Sequence, residues 1–357
     1  MSRRISWHRH DGDAAKKCLC AGENMTAQIF TLATTKTADF GVSLRDDSAS
    51  ATVFLRVKNM RLHLYTFALF ALIGCTAQGA KPGSAMQKLT CQPDADWNEP
   101  APPLHIYGNT WYVGTCGLSA VLITSAHGHI LIDGDTEKAP PLIEANIRKL
   151  GFRVADVRYI LNSHAHHDHA GGLAQLQQDS GAVVVARGAD ADAIERGQGD
   201  RSDPQYLESK KFPPVSEVRR VVDGEIIMLD GLALTAHATP GHTPGSTSWT
   251  WTSCEGKRCL QMAYVDSVTP LSDDVYRYTD EVPHPGVVAA FRAGLATIAA
   301  LPCDILLTPH PDASAMWTRL GAQTTAPLID ADACRRYAAS GSEKLDTRIA
   351  REHASAP

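Results

Sequence analysis

Across its 357 residues the sequence has no basic run and no Lys/Arg interleaved with aromatics, and its net charge is −5. That composition gives no footing for a nucleic-acid partner. No apolar stretch is long enough for a membrane-spanning helix. No internal repeat recurs at solenoid spacing. Neither G-x-S-x-G nor S-x-x-K occurs in a supporting context, so a serine nucleophile is not expected. No cysteine pair beyond position 80 has C-x-x-C spacing, which speaks against a structural zinc cluster.

Residues 1–59 mix charges, Ser, Thr and Ala without sustained periodicity and read as an extension outside any fold. At Met60 the character changes. Arg61, then the apolar Leu62 to Gly74, then small residues form the layout of a secretory signal over 60–80. Met60 is therefore a candidate true start. Leu72-Ile73-Gly74-Cys75 is similar to a lipobox, which would make Cys75 a lipid anchor; cleavage after Ala80 or Ala85 is the alternative.

Setting aside Cys18, Cys20 and Cys75 leaves Cys91, Cys116, Cys254, Cys259, Cys303 and Cys334. An even set fits an oxidising compartment, here the periplasm, and fifteen pairings of six are allowed. Cys254 and Cys259 bracket a turn between two strand-like runs, which favours that local pair; Cys91–Cys116 and Cys303–Cys334 are the natural remainder.

The chain's chemistry is concentrated in His164-Ala165-His166-His167-Asp168-His169, directly after the apolar strand Val157 to Leu161. In extended backbone His164 and His166 point to the same side. Gly171-Gly172 then offers a permissive bend before a helical pattern at Leu173 to Gln178. Two imidazoles on one side and a carboxylate–imidazole pair on the other suit two neighbouring metal ions. His167 reads as an exposed bystander.

Elsewhere, strand patterns fall at Thr110 to Val113, Ser119 to Thr124, His129 to Ile132, Ala182 to Ala186, Glu225 to Leu229, Leu232 to Ala238, Ser248 to Thr252 and Leu260 to Val265. Helical spacing falls at Pro140 to Leu150, His284 to Leu301 and Ala331 to Arg351. The alternation predicts a layered α/β domain over 90–357. Arg187 to Pro214 reads as a long polar loop, functional or mobile. Two further histidines stand in stiff turns at strand ends, His242 in Pro240-Gly241-His242-Thr243-Pro244-Gly245 and His310 in Thr308-Pro309-His310-Pro311. Ligands recurring at strand ends in both halves predict a converging site.

The H-x-H-x-D-H pattern with His242 and His310 behind it resembles the metallo-β-lactamase superfamily, from about Thr110 to the C-terminus. Gly241 to Trp251, Ala263-Tyr264-Val265-Asp266-Ser267 and Leu301 to Pro311 resemble its subclass B3, as do the three cysteine pairs. The resemblance implies an αββα sandwich, two β-sheets between outer helices with the site at the sheet edge. It implies two Zn2+ per chain, one on His164, His166 and His242 and one on Asp168, His169 and His310. Ser267 stands where the other subclasses place a zinc-binding cysteine. Asp133 would be a partner for a ligand N–H.

By the same resemblance, the expected reaction is hydrolysis of the amide in penicillins, cephalosporins and carbapenems by an exported monomer. Zinc lowers the pKa of bound water to about 7, and Asp168 would orient that hydroxide as the catalytic carboxylate. Ser267 and Thr269 would hold the substrate carboxylate, and Trp111 and the Arg187 to Pro214 loop would wall the cleft. The rival readings are a lactonase or a glyoxalase II-like thioesterase, whose metals are usually bridged by an aspartate from the region of Asp266, and a non-catalytic zinc-binding protein.

Overall fold

The strands assemble into two sheets. In the computed structural model, which describes residues 91–321 and 324–355, seven strands lie in sequence order. They are β1 (Leu104–Tyr107), β2 (Thr110–Tyr112), β3 (Val121–Thr124), β4 (His129–Ile132), β5 (Val157–Leu161), β6 (Val183–Arg187) and β7 (Val218–Val221). The second sheet holds β8 (Ile226–Leu229), β9 (Leu232–Ala238), β10 (Thr247–Glu255), β11 (Arg258–Tyr264) and β12 (Ile305–Leu307), in the order β12-β11-β10-β9-β8. The extension 1–59, the signal-like stretch 60–80 and Cys75 lie outside the described residues.

Strand side chains alternate between faces, and here both faces of the larger sheet are covered. Ile123, Ile130, Ile132, Leu161 and Val185 pack inward against Leu234, Trp249, Met262 and Tyr264 of the smaller sheet. Their neighbours Leu122, Leu131, Ile160 and Val184 face outward onto the helical layer, which runs α1 (Pro140–Lys149), the single turn α2 (His167–Ala170), α3 (Leu173–Ser180) and α4 (Gly188–Arg196). This double burial is why these strands read as nearly continuous apolar runs. On the other side, α5 (Val287–Ala300) and α6 (Ala333–Ala354) pack through Phe291, Leu295, Tyr337 and Leu345 onto Ala263, Val265 and Leu306. The result is four layers, helix–sheet–sheet–helix.

The disulfides join Cys91 to Cys116, Cys254 to Cys259 and Cys303 to Cys334. Three elements were not legible in the sequence. β1 follows a proline-rich lead. β7 is a short edge strand that exposes Arg219 and Arg220 between two buried valines, a device that blunts sheet edges. And α4 occupies the first third of what reads as a polar loop.

Candidate metal centre

The parallel strands β4 and β5 end side by side, with Ile132 opposite Leu161. They release Asp133 and the His164 segment at one edge. β11 and β12 are likewise parallel, with Tyr264 opposite Leu307, and lead into Asp266 and His310. β9 leads into the His242 turn. Just behind His164 the two sheets are stitched together: Trp249 Nε1 donates to the Asn162 carbonyl at 3.0 Å, and Thr247 N donates to the Ser163 carbonyl at 2.8 Å.

Six donors from three stretches meet there. The rings of His164, His166 and His242 lie 4.7–5.0 Å apart, and one ligand atom from each falls within 4.8 Å of the others. Asp168 Oδ2, His169 Nε2 and His310 Nε2 form a tighter triangle, 3.3 Å, 3.2 Å and 3.2 Å on a side. Donors at about 2.0–2.1 Å around a tetrahedral zinc stand about 3.3 Å apart, so the second set has the size of such an ion. His164 also lies within 4.8 Å of Asp168 and His169, its ring 4.4 Å from that of His169; we place it in the first set because the tight triangle of Asp168, His169 and His310 is complete without it.

Each first-set ring is oriented by a hydrogen bond on its far nitrogen. His164 Nδ1 donates to Asp266 Oδ1 at 2.8 Å, which leaves a buried Nε2 without a partner. His242 Nδ1 donates to the Thr269 carbonyl at 2.8 Å. His166 Nε2 lies 3.2 Å from both oxygens of Asp203. A lone pair fixed in this way is what a metal site requires of its ligands. Burial, helped by the neighbouring imidazoles, drives His242 down to about 3 and His164 well below the usual range, so both remain neutral donors. At His169 burial opposes the charge, but Asp168 and then Asp133 hold it up at about 9. At Asp168 burial is likewise outweighed by His169 and His310, and the carboxylate stays well below its ordinary value. A cation entering between these groups takes the place of protons, which makes metal affinity pH-dependent.

Other expected residues are placed differently. Asp133, at φ 61°, stands 3.7 Å from His169 Nδ1. Its oxygens instead accept Ser163 N at 2.7 Å, Ser163 Oγ at 2.6 Å and Tyr264 OH at 2.8 Å, so it holds the backbone of the histidine loop. Trp111 does not reach the cleft: opposite Leu122 on the outward face, its ring lies 5.9 Å from Phe152 and 4.7 Å from His105. The aromatic ring beside the histidines is instead that of Trp97, which stands 5.5 Å from His167 and 5.9 Å from His310. His167 is therefore half-buried against an indole rather than exposed. Ser267 is half-buried beside Asp266. Thr269 spends its carbonyl on His242, and its hydroxyl accepts Lys344 Nζ at 3.4 Å.

Gly171 and Gly172 are also present for a reason other than the expected one. Their neighbours leave no room: a side chain on Gly172 would collide with the Gly134 carbonyl oxygen, while its φ is an ordinary −87°.

The sequence missed Asp190, Asp203 and Gln205, all from the polar stretch. Gln205 Nε2 reaches within 3.4 Å of His242 Nε2. This segment is clamped from across the site by Asp273, which accepts Arg201 Nη1 at 2.7 Å, Leu207 N at 3.1 Å, Val275 N at 3.0 Å and Tyr276 N at 2.9 Å. Burial would raise this carboxyl, but Arg201 and the backbone donors prevail and hold it down at about 2. A folded pKa below the unfolded one adds stability that is complete above about pH 4 and fades as pH falls through 2. Asp273→Asn should therefore cost about 1.5–3 kcal/mol at pH 7, and the gap from wild type should close near pH 2, read from denaturant midpoints at each pH.

The metallo-beta-lactamase superfamily profile matches residues 113–255. Among solved structures, MIM-1 from Novosphingobium pentaromativorans is 48% identical, with a TM-score of 0.72 over 75% of this chain and 98% of that one. A subclass B3 metallo-beta-lactamase isolated from a soil metagenome library is 44% identical, with a TM-score of 0.70 over 73% of this chain and all (100%) of that one. Among curated relatives, a hydroxyacylglutathione hydrolase of Anaeromyxobacter dehalogenans (strain 2CP-C) is 34% identical over 36% of this chain. An N-acyl homoserine lactonase of a Bacillus species is 30% identical over 29% of it. The chain spans only 40% and 36% of the length of those two relatives. Near-half identity along almost the whole of the solved chains, on the same double-sheet frame, places this chain in the metallo-beta-lactamase superfamily, beside its subclass B3 members.

Proposed function

We propose that the chain opens the amide of β-lactams with two zinc ions held by His164, His166 and His242 and by Asp168, His169 and His310. Bound there, zinc supplies a water deprotonated near pH 7 and a Lewis acid for the carbonyl. The protein's own groups do the rest. His164 and His242 are kept neutral by burial and aimed by Asp266 and the Thr269 carbonyl. Asp168 is kept ionised, and its Oδ1, the oxygen not shared with His169 and His310, would orient the attacking water and accept its proton. Ser267 and the segment through Thr269 lie beside the site and suit the substrate's carboxylate. Trp97 closes one wall, and half-exposed His310 marks the open side.

The observation that carries this reading is the position of Asp266. In the lactonase and thioesterase readings an aspartate from this region bridges the metals. Here Asp266 Oδ1 accepts His164 Nδ1 at 2.8 Å, behind the ring atom offered to a metal, while its Oδ2 is buried without a hydrogen-bond partner; the two donor sets proposed above are complete without it. The partial matches to hydroxyacylglutathione hydrolase and lactonase sequences keep those activities as the second reading. The three disulfides support export to the periplasm, where such an activity would protect a cell from β-lactam antibiotics.

The test is hydrolysis of nitrocefin and a carbapenem by purified protein, beside an acyl-homoserine lactone and a glutathione thioester. We expect lactam turnover that EDTA abolishes and zinc restores. Lactone or thioester cleavage without lactam turnover would overturn the proposal.

A further inference from the structure

We propose that Arg187 is a positioning residue for the metal centre: by gripping the turn behind His242 it sets the geometry of the first ligand set, and through it the affinity for the metal. For the reaction that this geometry serves, this rests on the lactam-hydrolysis reading; for the metal it rests only on the ligand set. Arg187 is the last residue of β6, which runs parallel to β5 and ends at the same edge of the sheet. Val184 and Ala186 face the outer helices, while Val185 faces the smaller sheet. The two-residue period of the strand therefore turns Arg187 inward, between the sheets. A guanidinium from the larger sheet thus meets the turn that carries His242.

Its Nη2 donates to the Pro244 carbonyl at 3.0 Å and to the Ser246 carbonyl at 3.2 Å. The Ser246 carbonyl also takes Thr239 N at 3.0 Å, the bond that closes the turn. The N–H of the peptide joining Pro244 to Gly245 goes to Asp190 Oδ1 at 2.9 Å. One peptide unit is therefore held on its carbonyl by a cation and on its N–H by a carboxylate. Both come from a single junction, the end of β6 and the first turn of α4. A plane gripped at both ends resists rotation, and His242 stands two residues before it.

The guanidinium is otherwise poorly served. Its Nε is buried without a partner. Asp190, Asp223 and Asp266 act on it electrostatically, but none forms an ion pair with it among the described residues. A half-buried cation without an ion-pair partner is costly, and its charge repels a divalent ion held by His164, His166 and His242. Arg187 thus acts on the metal in two opposite senses. As a bare charge it weakens binding; as an anchor of the turn it strengthens it. The sign of the change on its removal tells the two apart.

The experiment measures zinc affinity by competition with a chromophoric chelator for wild type, Arg187→Met and Arg187→Lys, at a temperature where melting shows each metal-free protein to be folded. We expect Arg187→Met to bind zinc about 10- to 100-fold more weakly. Arg187→Lys should recover part of that loss, because one nitrogen makes both bonds in wild type and an ammonium can do the same from a shorter reach. The visible absorption of the cobalt-loaded protein reports ligand geometry, which a merely structural role would leave alone. It should shift in Arg187→Met and return toward wild type in Arg187→Lys. Unchanged or tighter zinc binding in Arg187→Met overturns the proposal, whatever happens to its melting. Should that variant not fold, Arg187→Gln, which keeps a polar group but loses the charge and the reach, is held to the same criterion. If wild type opens no lactam, the function proposed above falls, and the zinc and cobalt measurements still decide the role of Arg187.

Discussion

His242→Ala is expected to abolish turnover and to lower bound zinc, while the metal-free protein keeps its fold. Removing a group that merely orients a metal ligand costs about 10- to 100-fold in affinity or activity, and losing the ligand itself should exceed that. The turn that carries His242 is held independently of the ring: Thr239 N donates to the Ser246 carbonyl, and Gly245 N donates to Asp190 Oδ1 at 2.9 Å. The backbone therefore has other anchors when the imidazole is gone. The ring is buried and neutral, so its removal leaves no unpaired charge. Metal analysis by mass spectrometry, hydrolysis rates and melting with and without zinc check each part. Wild type should gain stability from added zinc in proportion to the logarithm of its excess over the dissociation constant, and the variant should gain less. Near-normal hydrolysis in His242→Ala would refute the ligand assignment.

What the sequence disclosed was whatever sits at the end of an apolar strand. His164 follows β5, His310 follows β12 and His242 follows β9, so periodicity located the carriers and the residue types named the chemistry. The supporting groups were hidden because nothing local marks them. Asp190, Asp203 and Gln205 come from a stretch without period, and each meets its partner only through the tertiary fold. Trp97 lies in the proline-rich lead and reaches His310 from the far end of the domain. Trp111 shows the opposite error. An aromatic in a strand near the site is attractive, but the two-residue period of β2 puts Thr110 and Tyr112 inside and turns Trp111 outward.

Asp190→Ala should have a large effect on stability, and the reason lies in how the two ligand-bearing turns are joined. The carboxylate is buried at the start of α4. One oxygen takes Ala165 N at 3.1 Å and Thr243 Oγ1 at 2.7 Å; the other takes Gly245 N at 2.9 Å. It therefore spans from the residue between His164 and His166 to the turn that holds His242. Gly245 is glycine for this reason, since a Cβ there would strike the Asp190 carboxylate. Alanine leaves two buried backbone N–H groups without acceptors, at about 1–3 kcal/mol each, within a total stability of about 5–15 kcal/mol. Asp190→Asn keeps the volume and one acceptor oxygen but turns an amide toward one of those donors, so it should fall between wild type and alanine. Activity should fall more than the unfolded fraction alone explains, because a shift of about 1 Å between catalytic groups costs about a hundredfold. Urea midpoints set the stability loss, and zinc affinity measured where each variant is fully folded isolates the geometric part. If Asp190→Ala binds zinc as tightly as wild type under those conditions, the two turns hold their positions without the carboxylate, and its role is confined to folding.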